Sequence, residues 1–274
     1  MSHNRQKKIA VINDFCGFGR CSIATALPII SAMKIQCCPL PTSIFSNHTG
    51  YDSFFYTDYT QNMNAYIDEW VKLDLKFNGI LTGFLGSPEQ IDIVKRFLEL
   101  FKTDDNVTVV DPVMGDNGKL YPTYSPVLAE QMASLVPCAD ILTPNLTEAC
   151  ILTKTEYKAD MSETELNNIC EKLSRVGPGK IVISGLDRGE ILENFVYEQG
   201  KEPQVIREHK AGPCRAGTGD VFSSIVAADV VNGIGFSDAV RHATVFIAKA
   251  LKRTAELEIP QNDGICFEEF LTEI

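Results

Sequence analysis

The sequence predicts an α/β fold of three layers, in which a largely parallel central sheet is covered by helices on both faces. Short apolar runs alternate with longer amphipathic segments along the chain, which is the pattern of repeated strand–helix units. Several of these runs are followed directly by a polar motif, and open α/β sheets bind their ligands where the strands end. The composition, with 45% hydrophobic and 22% charged residues, is that of an ordinary globular chain.

In the first half of the chain, each predicted strand is a short run of apolar residues. These runs span residues 9–12, 80–83 and 107–110. Helices are predicted after the first two strands, over residues 22–33 and 88–101. The third run ends at Asp111, so a carboxylate is expected at the end of that strand.

The second half continues the same alternation and then changes character. Strands are predicted over residues 141–142 and 181–183, and helices from residue 145 onward and over 163–176. Residues 191–206 read instead as two short strands around a turn at Gln199 and Gly200, which predicts a local antiparallel pair.

Two helices close the chain. The first begins near Gly217 and stops at Asn232 and Gly233, and the second begins with Ser237 as its N-cap and runs to about residue 253. Since no repeat, linker or low-complexity segment interrupts the pattern, we expect one domain over residues 1–274.

Charge and cysteine content exclude several classes of function. The formal net charge of −11 argues against binding to nucleic acid or to an anionic membrane. Nine cysteines are scattered without a C-x-x-C spacing, which favours free thiols in a reducing compartment over a disulfide framework or a zinc site. Neither a secretory leader nor a membrane-spanning stretch is found, so we expect a soluble, cytoplasmic protein.

The motif Ala216-Gly-Thr-Gly-Asp220 opens a predicted helix. The N-terminus of a helix carries unpaired N–H groups and the positive end of the dipole, and glycines let an anion approach that backbone. Asp220 beside such a site is well placed to take a proton from an attacking hydroxyl. A glycine-rich turn with an acidic residue in the first helical turn is an equally weighted alternative.

Two further polar motifs follow predicted strands. In Thr143-Pro-Asn145-Leu-Thr-Glu148, Asn145 and Glu148 are candidates to hold a hydrated Mg²⁺, although the same spacing is favoured as a capping box. Asp111 and Asp116 flank the segment Pro-Val-Met-Gly, and two carboxylates at a strand end can serve a metal–phosphate centre. A simple Asp-Pro turn is the alternative for that segment.

The segment Phe45-Ser-Asn-His-Thr-Gly-Tyr51 is a polar loop with aromatic flanks. It is suited to a planar heteroaromatic ring, which it would hold by hydrogen bonds and stacking. We favour a structural role for His48 over a catalytic one. Gly17-Phe-Gly-Arg20 is not a dinucleotide fingerprint, and no P-loop sequence occurs.

In this order along the chain, the motifs resemble the pyridoxal kinase branch of the ribokinase-like superfamily. The resemblance implies a small β lid, usually a homodimer, and ATP and Mg²⁺ as cofactors, with a monovalent cation such as K⁺ left open. It implies that Asp220 is the catalytic base and that Gly217, Thr218 and Gly219 form the anion hole. The resemblance places three further groups of residues. Around the metal it places Asp116, Asn145 and Glu148, and near the ATP phosphates it places Asp111, Ser184, Tyr121 and Thr218. Around a B6 vitamer it places Asn13, Asp14, Ser46, His48, Thr49 and Phe84.

The reaction implied is phosphorylation of the 5′-hydroxymethyl group of pyridoxal, pyridoxine or pyridoxamine. This sequence departs from many relatives at Asp14, at Gly19-Arg20 and at Phe84, positions that would touch the vitamer rather than the phosphates. Hydroxymethylpyrimidine kinase is the nearest alternative, because it shares the fold, the phosphate machinery and an aromatic substrate with a hydroxymethyl group. A non-catalytic ligand sensor is the alternative from another class. Cys214 lies six residues before Asp220, so its thiol is a candidate substrate contact, for which an inert lid residue is the favoured alternative.

Overall fold

The computed structural model describes residues 3–121, 123–213 and 215–274. Within these residues, nine strands form one sheet, and two short strands form a separate hairpin. The strands are β1 (Lys8–Cys16), β2 (Gln36–Phe45), β3 (Tyr56–Asp58), β4 (Gly79–Thr82), β5 (Val107–Val110), β6 (Gly115–Asp116), β7 (Lys119–Leu120), β8 (Ile141–Leu142), β9 (Lys180–Arg188), β10 (Ile191–Glu198) and β11 (Gln204–His209).

The order of strands in the large sheet is β11-β10-β9-β8-β5-β4-β1-β2-β3. The six central strands from β9 to β2 pair in parallel, whereas β3, β10 and β11 pair antiparallel at the two edges. The predicted antiparallel pair over residues 191–206 is confirmed as β10 and β11. The small hairpin of β6 and β7 follows β5 and lies apart from the sheet.

Helices cover both faces of the sheet, as the alternation of segments predicts. They are α1 (Ser22–Ala32), α2 (Thr60–Lys72), α3 (Pro88–Phe101), α4 (Pro126–Met132), α5 (Leu146–Thr153), α6 (Glu163–Ser174), α7 (Thr218–Val231) and α8 (Phe236–Glu256). One apolar core lies on the side of α2 to α6, and a second lies on the side of α1, α7 and α8. The three-layer α/β prediction is therefore confirmed.

The predicted N-cap of the last helix is wrong. Helix α8 takes Gly235 as its N-cap and begins at Phe236, not at Ser237. The Ser237 hydroxyl donates to Glu198 Oε1 at 3.2 Å, so this side chain links the helix to β10 instead of capping it.

Candidate active site

Polar side chains converge at the edge where the parallel strands end. Asn13 and Asp14 lie near the end of β1, Asp111 follows β5, and Asn145 follows β8. Helix α7, which comes much later in the chain, also reaches this edge. Asn13 Nδ2 donates to Asp220 Oδ1, in the first turn of α7, at 3.1 Å. The carboxyl edge of the sheet is thus the candidate active site, as open α/β sheets generally arrange it.

The turn before α7 requires glycine. Gly217 is the N-cap with φ of +80°, and a Cβ there would lie 1.8 Å from the carbonyl oxygen of Arg20. At Gly219 a Cβ would meet no atom within 4 Å, so open space lies beside the first turn of α7. Because the positive end of the helix dipole faces this space, an anion is favoured there.

Asp220 lies in the first turn of α7 and is partly buried. Burial raises the pKa of its carboxyl to about 6, and the nearby Asp14 charge adds to the shift, although the Ser22 N–H and the Asn13 amide bond the carboxyl and oppose it. At neutral pH the carboxylate is therefore ionised but close to its pKa, which suits a general base.

Asn13 fixes the geometry of this corner. Its Oδ1 accepts hydrogen bonds from the backbone N–H groups of Asp14 at 2.9 Å and Phe84 at 2.8 Å. A Cβ at Gly83 would lie 2.4 Å from Asn13 Nδ2. The side chain of Asn13 therefore ties together β1, the segment after β4 and the candidate base.

Asp14 is a second carboxyl beside that base, and it is only 5% exposed. Its Oδ2 accepts from the Cys16 thiol at 3.2 Å. Burial is the main cause that raises the pKa of Asp14, whereas hydrogen bonds from the Ser22 and Cys16 side chains lower it. Because electrostatic interactions are stronger for buried groups, the Asp14 carboxyl would strongly affect which ligands bind beside it.

Asn145 and Glu148 form the capping box that the spacing favoured. Glu148 N–H donates to Asn145 Oδ1 at 3.0 Å, and Asn145 N–H donates to Glu148 Oε2 at 2.9 Å. Glu148 Oε1 also accepts from Met114 N–H at 3.0 Å. The cap is confirmed, and it also joins α5 to the segment after β5.

Buried carboxyls crowd together next to this cap. Burial raises the pKa of Glu148 to about 8, and the charge of Asp116 adds to the shift. Burial also raises the pKa of Asp111 well above its usual range, with repulsion from Glu148 and then Asp220 adding to it. Burial and mutual repulsion thus favour the protonated forms of these carboxyls, and a bound cation would favour their ionised forms instead.

The fit of Mg²⁺ to these residues can be judged from their remaining acceptors. Both Asp116 oxygens accept from Asn117, at 2.8 and 3.1 Å, and Asn145 Nδ2 donates to Gly115 O at 2.8 Å. In the described part of the chain, no three His, Cys, Asp or Glu side chains are grouped as ligands of a metal. Each carboxylate oxygen keeps a further lone pair, so the arrangement fits a cation held mainly through its water ligands.

The aromatic flank of the site is built around Phe84. Its ring meets Phe45 edge-on at 6.1 Å and Tyr124 edge-on at 5.9 Å, measured between centroids. Phe84 is partly exposed. The ring is thus held in place by its neighbours while one part of it faces solvent.

The polar side chains of the loop after β2 bond mainly to other protein groups. The Ser46 hydroxyl accepts from Phe55 N–H at 2.9 Å and donates to Asn47 Oδ1 at 2.7 Å. His48 Nδ1 accepts from Gly50 N–H at 3.0 Å, so Nε2 carries the proton and donates to Asn262 O at 2.7 Å. Thr49 is exposed. The structural role favoured for His48 agrees with these contacts.

Of the remaining predicted residues, two lie at the same edge of the sheet and one lies outside the residues that the structure describes. Ser184 N–H donates to Pro144 O at 2.9 Å, and Tyr121 N–H donates to Met114 O at 2.9 Å. Both residues therefore flank the carboxyl cluster. Cys214 lies outside the described residues, and its role stays a prediction.

Two residues support the turn before α7 and Asp220 in a way that the sequence did not predict. Arg20 and Ser22 have positive φ angles of 49° and 59°, which non-glycine residues rarely adopt. Ser22 is buried and donates through its backbone to Asp220. No local sequence pattern signals either role, because both depend on the contact with α7.

Comparisons with known proteins show what the chain is similar to. The family model described as phosphomethylpyrimidine kinase matches residues 22–265. Pyridoxal kinase of Arabidopsis thaliana is 34% identical over 197 residues, which are 69% of this chain and 62% of the relative. The matched region therefore spans less than two thirds of that relative's own length.

Solved structures are similar over nearly the whole chain. A Bacteroides thetaiotaomicron protein assigned to phosphomethylpyrimidine kinase has a TM-score of 0.96 at 38% identity and covers 100% of this chain and 95% of its own. Its orthorhombic crystal form, with a TM-score of 0.93 at 37% identity and coverages of 98% and 96%, contains pyridoxal. Pyridoxal kinase of Lactobacillus plantarum has a TM-score of 0.90 at 25% identity, with coverages of 97% and 96%. The resemblance inferred from the motifs is confirmed.

Proposed function

The chain belongs to the phosphomethylpyrimidine kinase family, and on that premise we propose that it transfers the γ-phosphoryl group of ATP to the 5′-hydroxymethyl group of a B6 vitamer. The observation that carries the proposal is the position of Asp220. Its carboxyl, with a pKa raised to about 6, lies in the first turn of α7 beside open space that favours an anion. The pyridoxal in the similar Bacteroides structure supports the choice of acceptor.

In the proposed reaction the hydroxymethyl oxygen attacks the γ-phosphorus, and the bond from that phosphorus to the β-phosphate oxygen breaks. The Asp220 carboxylate takes the hydroxyl proton, and ADP leaves. The first turn of α7 faces the phosphoryl group, whose negative charge its dipole stabilises. Phosphoryl transfer depends mostly on such positioning and electrostatic stabilisation.

The carboxyl cluster supports a metal role. Asp116, Asn145 and Glu148 would hold Mg²⁺ through its waters, and Asp111 would lie beside the phosphates. When bound, the ion would neutralise the negative charge of the phosphates. The positions of these protein residues would determine where the phosphate charge is neutralised.

The acceptor site is proposed at Phe84, Asp14 and the loop that carries Ser46, His48 and Thr49. Phe84 offers a flat, partly exposed ring, and Asp14 offers a buried carboxyl. Since the polar atoms of Ser46 and His48 are engaged within the fold, we assign these two residues to shaping the pocket. Thr49 and Asp14 are the proposed direct contacts.

Hydroxymethylpyrimidine is the second candidate acceptor. The family description and the Bacteroides assignment both name phosphomethylpyrimidine kinase. Its hydroxymethyl group on a flat, nitrogen-containing ring has the same chemistry as the vitamers at the reacting atom. The two acceptors therefore differ only in the ring substituents that meet the pocket.

A substrate panel tests the proposal. We expect ADP release with Mg²⁺ and ATP to depend on an added acceptor, and kcat/KM to be higher for pyridoxal, pyridoxine or pyridoxamine than for hydroxymethylpyrimidine. Preference for hydroxymethylpyrimidine would transfer the assignment to the second candidate. Saturable binding of pyridoxal without any turnover would instead identify a sensor.

A further inference from the structure

The segment of residues 259–268, which we call the C-terminal strap, follows α8 and returns across the candidate active site. It contains one complete 3₁₀ turn, Gln261–Asp263, before Gly264, and its last residue, Glu268, begins a second. Gly264 packs so closely that a Cβ would lie 2.4 Å from Gly19 O. The strap therefore lies directly against the loop that joins β1 to α1.

On one side the strap supports the glycine turn before α7. Arg20 Nε donates to Glu268 at 2.6 Å, and its Nη1 donates to Asp263 O at 3.0 Å. The carbonyl of the same arginine lies against Gly217, where a Cβ would approach it to 1.8 Å. Fixing the Arg20 side chain on the strap therefore fixes the backbone on which the glycine turn rests.

A second arginine ties the other side of that turn to the strap. Arg215 Nη1 donates to Ile259 O and to Pro260 O, both at 2.9 Å. The carbonyl of Arg215 accepts from the Thr218 hydroxyl at 3.0 Å. Both flanks of Gly217 are thus connected to one short segment.

The strap also holds the polar loop after β2. Asn262 O accepts from the Tyr51 hydroxyl at 2.8 Å as well as from His48 Nε2 at 2.7 Å. Asn262 Nδ2 donates back to Gly50 O at 2.9 Å. The loop proposed for the acceptor and the turn proposed for the phosphoryl group consequently share one support.

From these contacts we propose that Arg20 is a positioning residue. It anchors the turn at Gly217 to the C-terminal strap, which also holds the acceptor loop through Asn262, and so keeps the turn and the loop aligned. Because phosphoryl transfer needs the two reactants in line, a displacement of about 1 Å can cost on the order of 100-fold in rate. This proposal rests on the proposed function but does not depend on which acceptor is preferred.

The test uses the full-length variant Arg20→Gly. Glycine accepts the φ of +49° without strain, so the variant removes the guanidinium contacts without straining the backbone. Recovery with added guanidinium separates the loss of those contacts from the added backbone freedom of glycine. The matched control is Arg253→Ala, which removes a bidentate ion pair to Glu269 at 2.9 and 3.1 Å. That pair also anchors the C-terminal region but has no contact with the site.

We expect Arg20→Gly to lower kcat by about 10- to 100-fold, to leave KM for ATP nearly unchanged, and to regain activity when guanidinium ion is added at millimolar concentration. Arg253→Ala should keep the kcat of wild type, although its melting temperature should be similar to that of Arg20→Gly. Equal kcat values in the two variants would overturn the role of Arg20. A wild-type protein without turnover on any acceptor would instead contradict the proposed function and would be recognised before the variants are compared.

Discussion

At the scale of single residues, Asp220 carries the chemistry that we propose. Replacing it with Asn keeps the shape and the bond from Asn13 but removes the proton acceptor. We expect kcat to fall by about 10²- to 10⁴-fold, with the fold and ATP binding retained. Turnover close to wild type, measured with the acceptor that the wild type prefers, would remove Asp220 from the mechanism.

Asp14 should set the pH range in which Asp220 works. Besides burial, the pKa of Asp220 responds to the Ser22 N–H, the Asp14 charge and the Asn13 amide, and the charge of Asp220 in turn raises the pKa of Asp111. Since kcat/KM falls when a base becomes protonated, the acid limb should lie near pH 6, the pKa of Asp220. Asp14→Asn removes a negative charge that raises this pKa, so the acid limb should move to lower pH.

The pH dependence of kcat/KM between pH 4 and pH 8 measures that shift. An acid limb that stays in place or moves upward in Asp14→Asn would show that Asp14 does not tune the base.

At the scale of elements, Glu148 serves both as a cap and as a candidate metal neighbour. Glu148→Gln keeps acceptors for part of the capping box but removes the charge. We expect the Mg²⁺ concentration for half-maximal rate to rise, because a hard cation loses a charged oxygen nearby. A lower melting temperature with unchanged Mg²⁺ dependence would restrict Glu148 to its role in the cap.

Most elements of the sheet could be predicted because their signals are local. Helix α3 begins and ends where predicted, since Ser87 caps it and Pro88 occupies its first position. Strand β2 escaped prediction because Pro39 and Pro41 interrupt its pattern. The structure tolerates them because β3 pairs only with Ser43–Phe45, so the stretch with the prolines needs to bond a neighbour on one side alone.

The candidate site was predictable as a set of motifs but not as a set of contacts. Each motif follows a strand or opens a helix, so its place at the carboxyl edge follows from the fold. The bond from Asn13 to Asp220 joins residues 207 positions apart, and no local pattern contains it. For the same reason the roles of Arg20 and Ser22 emerged only from the structure.

At the scale of the whole molecule, the homodimer implied by the family resemblance remains a prediction. The edge strand β3 and the residues before it expose aromatic rings, with Phe55 72% and Tyr56 54% exposed. Exposed apolar patches of this kind often mark an interface.

No helix in the described part of the chain has the length and apolar character needed to cross a bilayer.

Sedimentation equilibrium tests the dimer at micromolar concentration. We expect wild type to be dimeric and Phe55→Glu to dissociate toward monomer, because a charge would then be buried in the interface. Val127→Glu is the control, since Val127 is also exposed, at 61%, but lies in α4. A monomeric wild type, or equal dissociation of both variants, would argue against this edge as the interface.

The C-terminal strap has a consequence for the order in which the protein matures on the ribosome. Synthesis proceeds from the N-terminus, and domains begin to fold as they emerge. The glycine turn and the acceptor loop are both synthesised before residues 259–268. A nascent chain that already contains every residue proposed for phosphoryl transfer would therefore remain inactive until the strap is released, so activity would appear late and abruptly during translation.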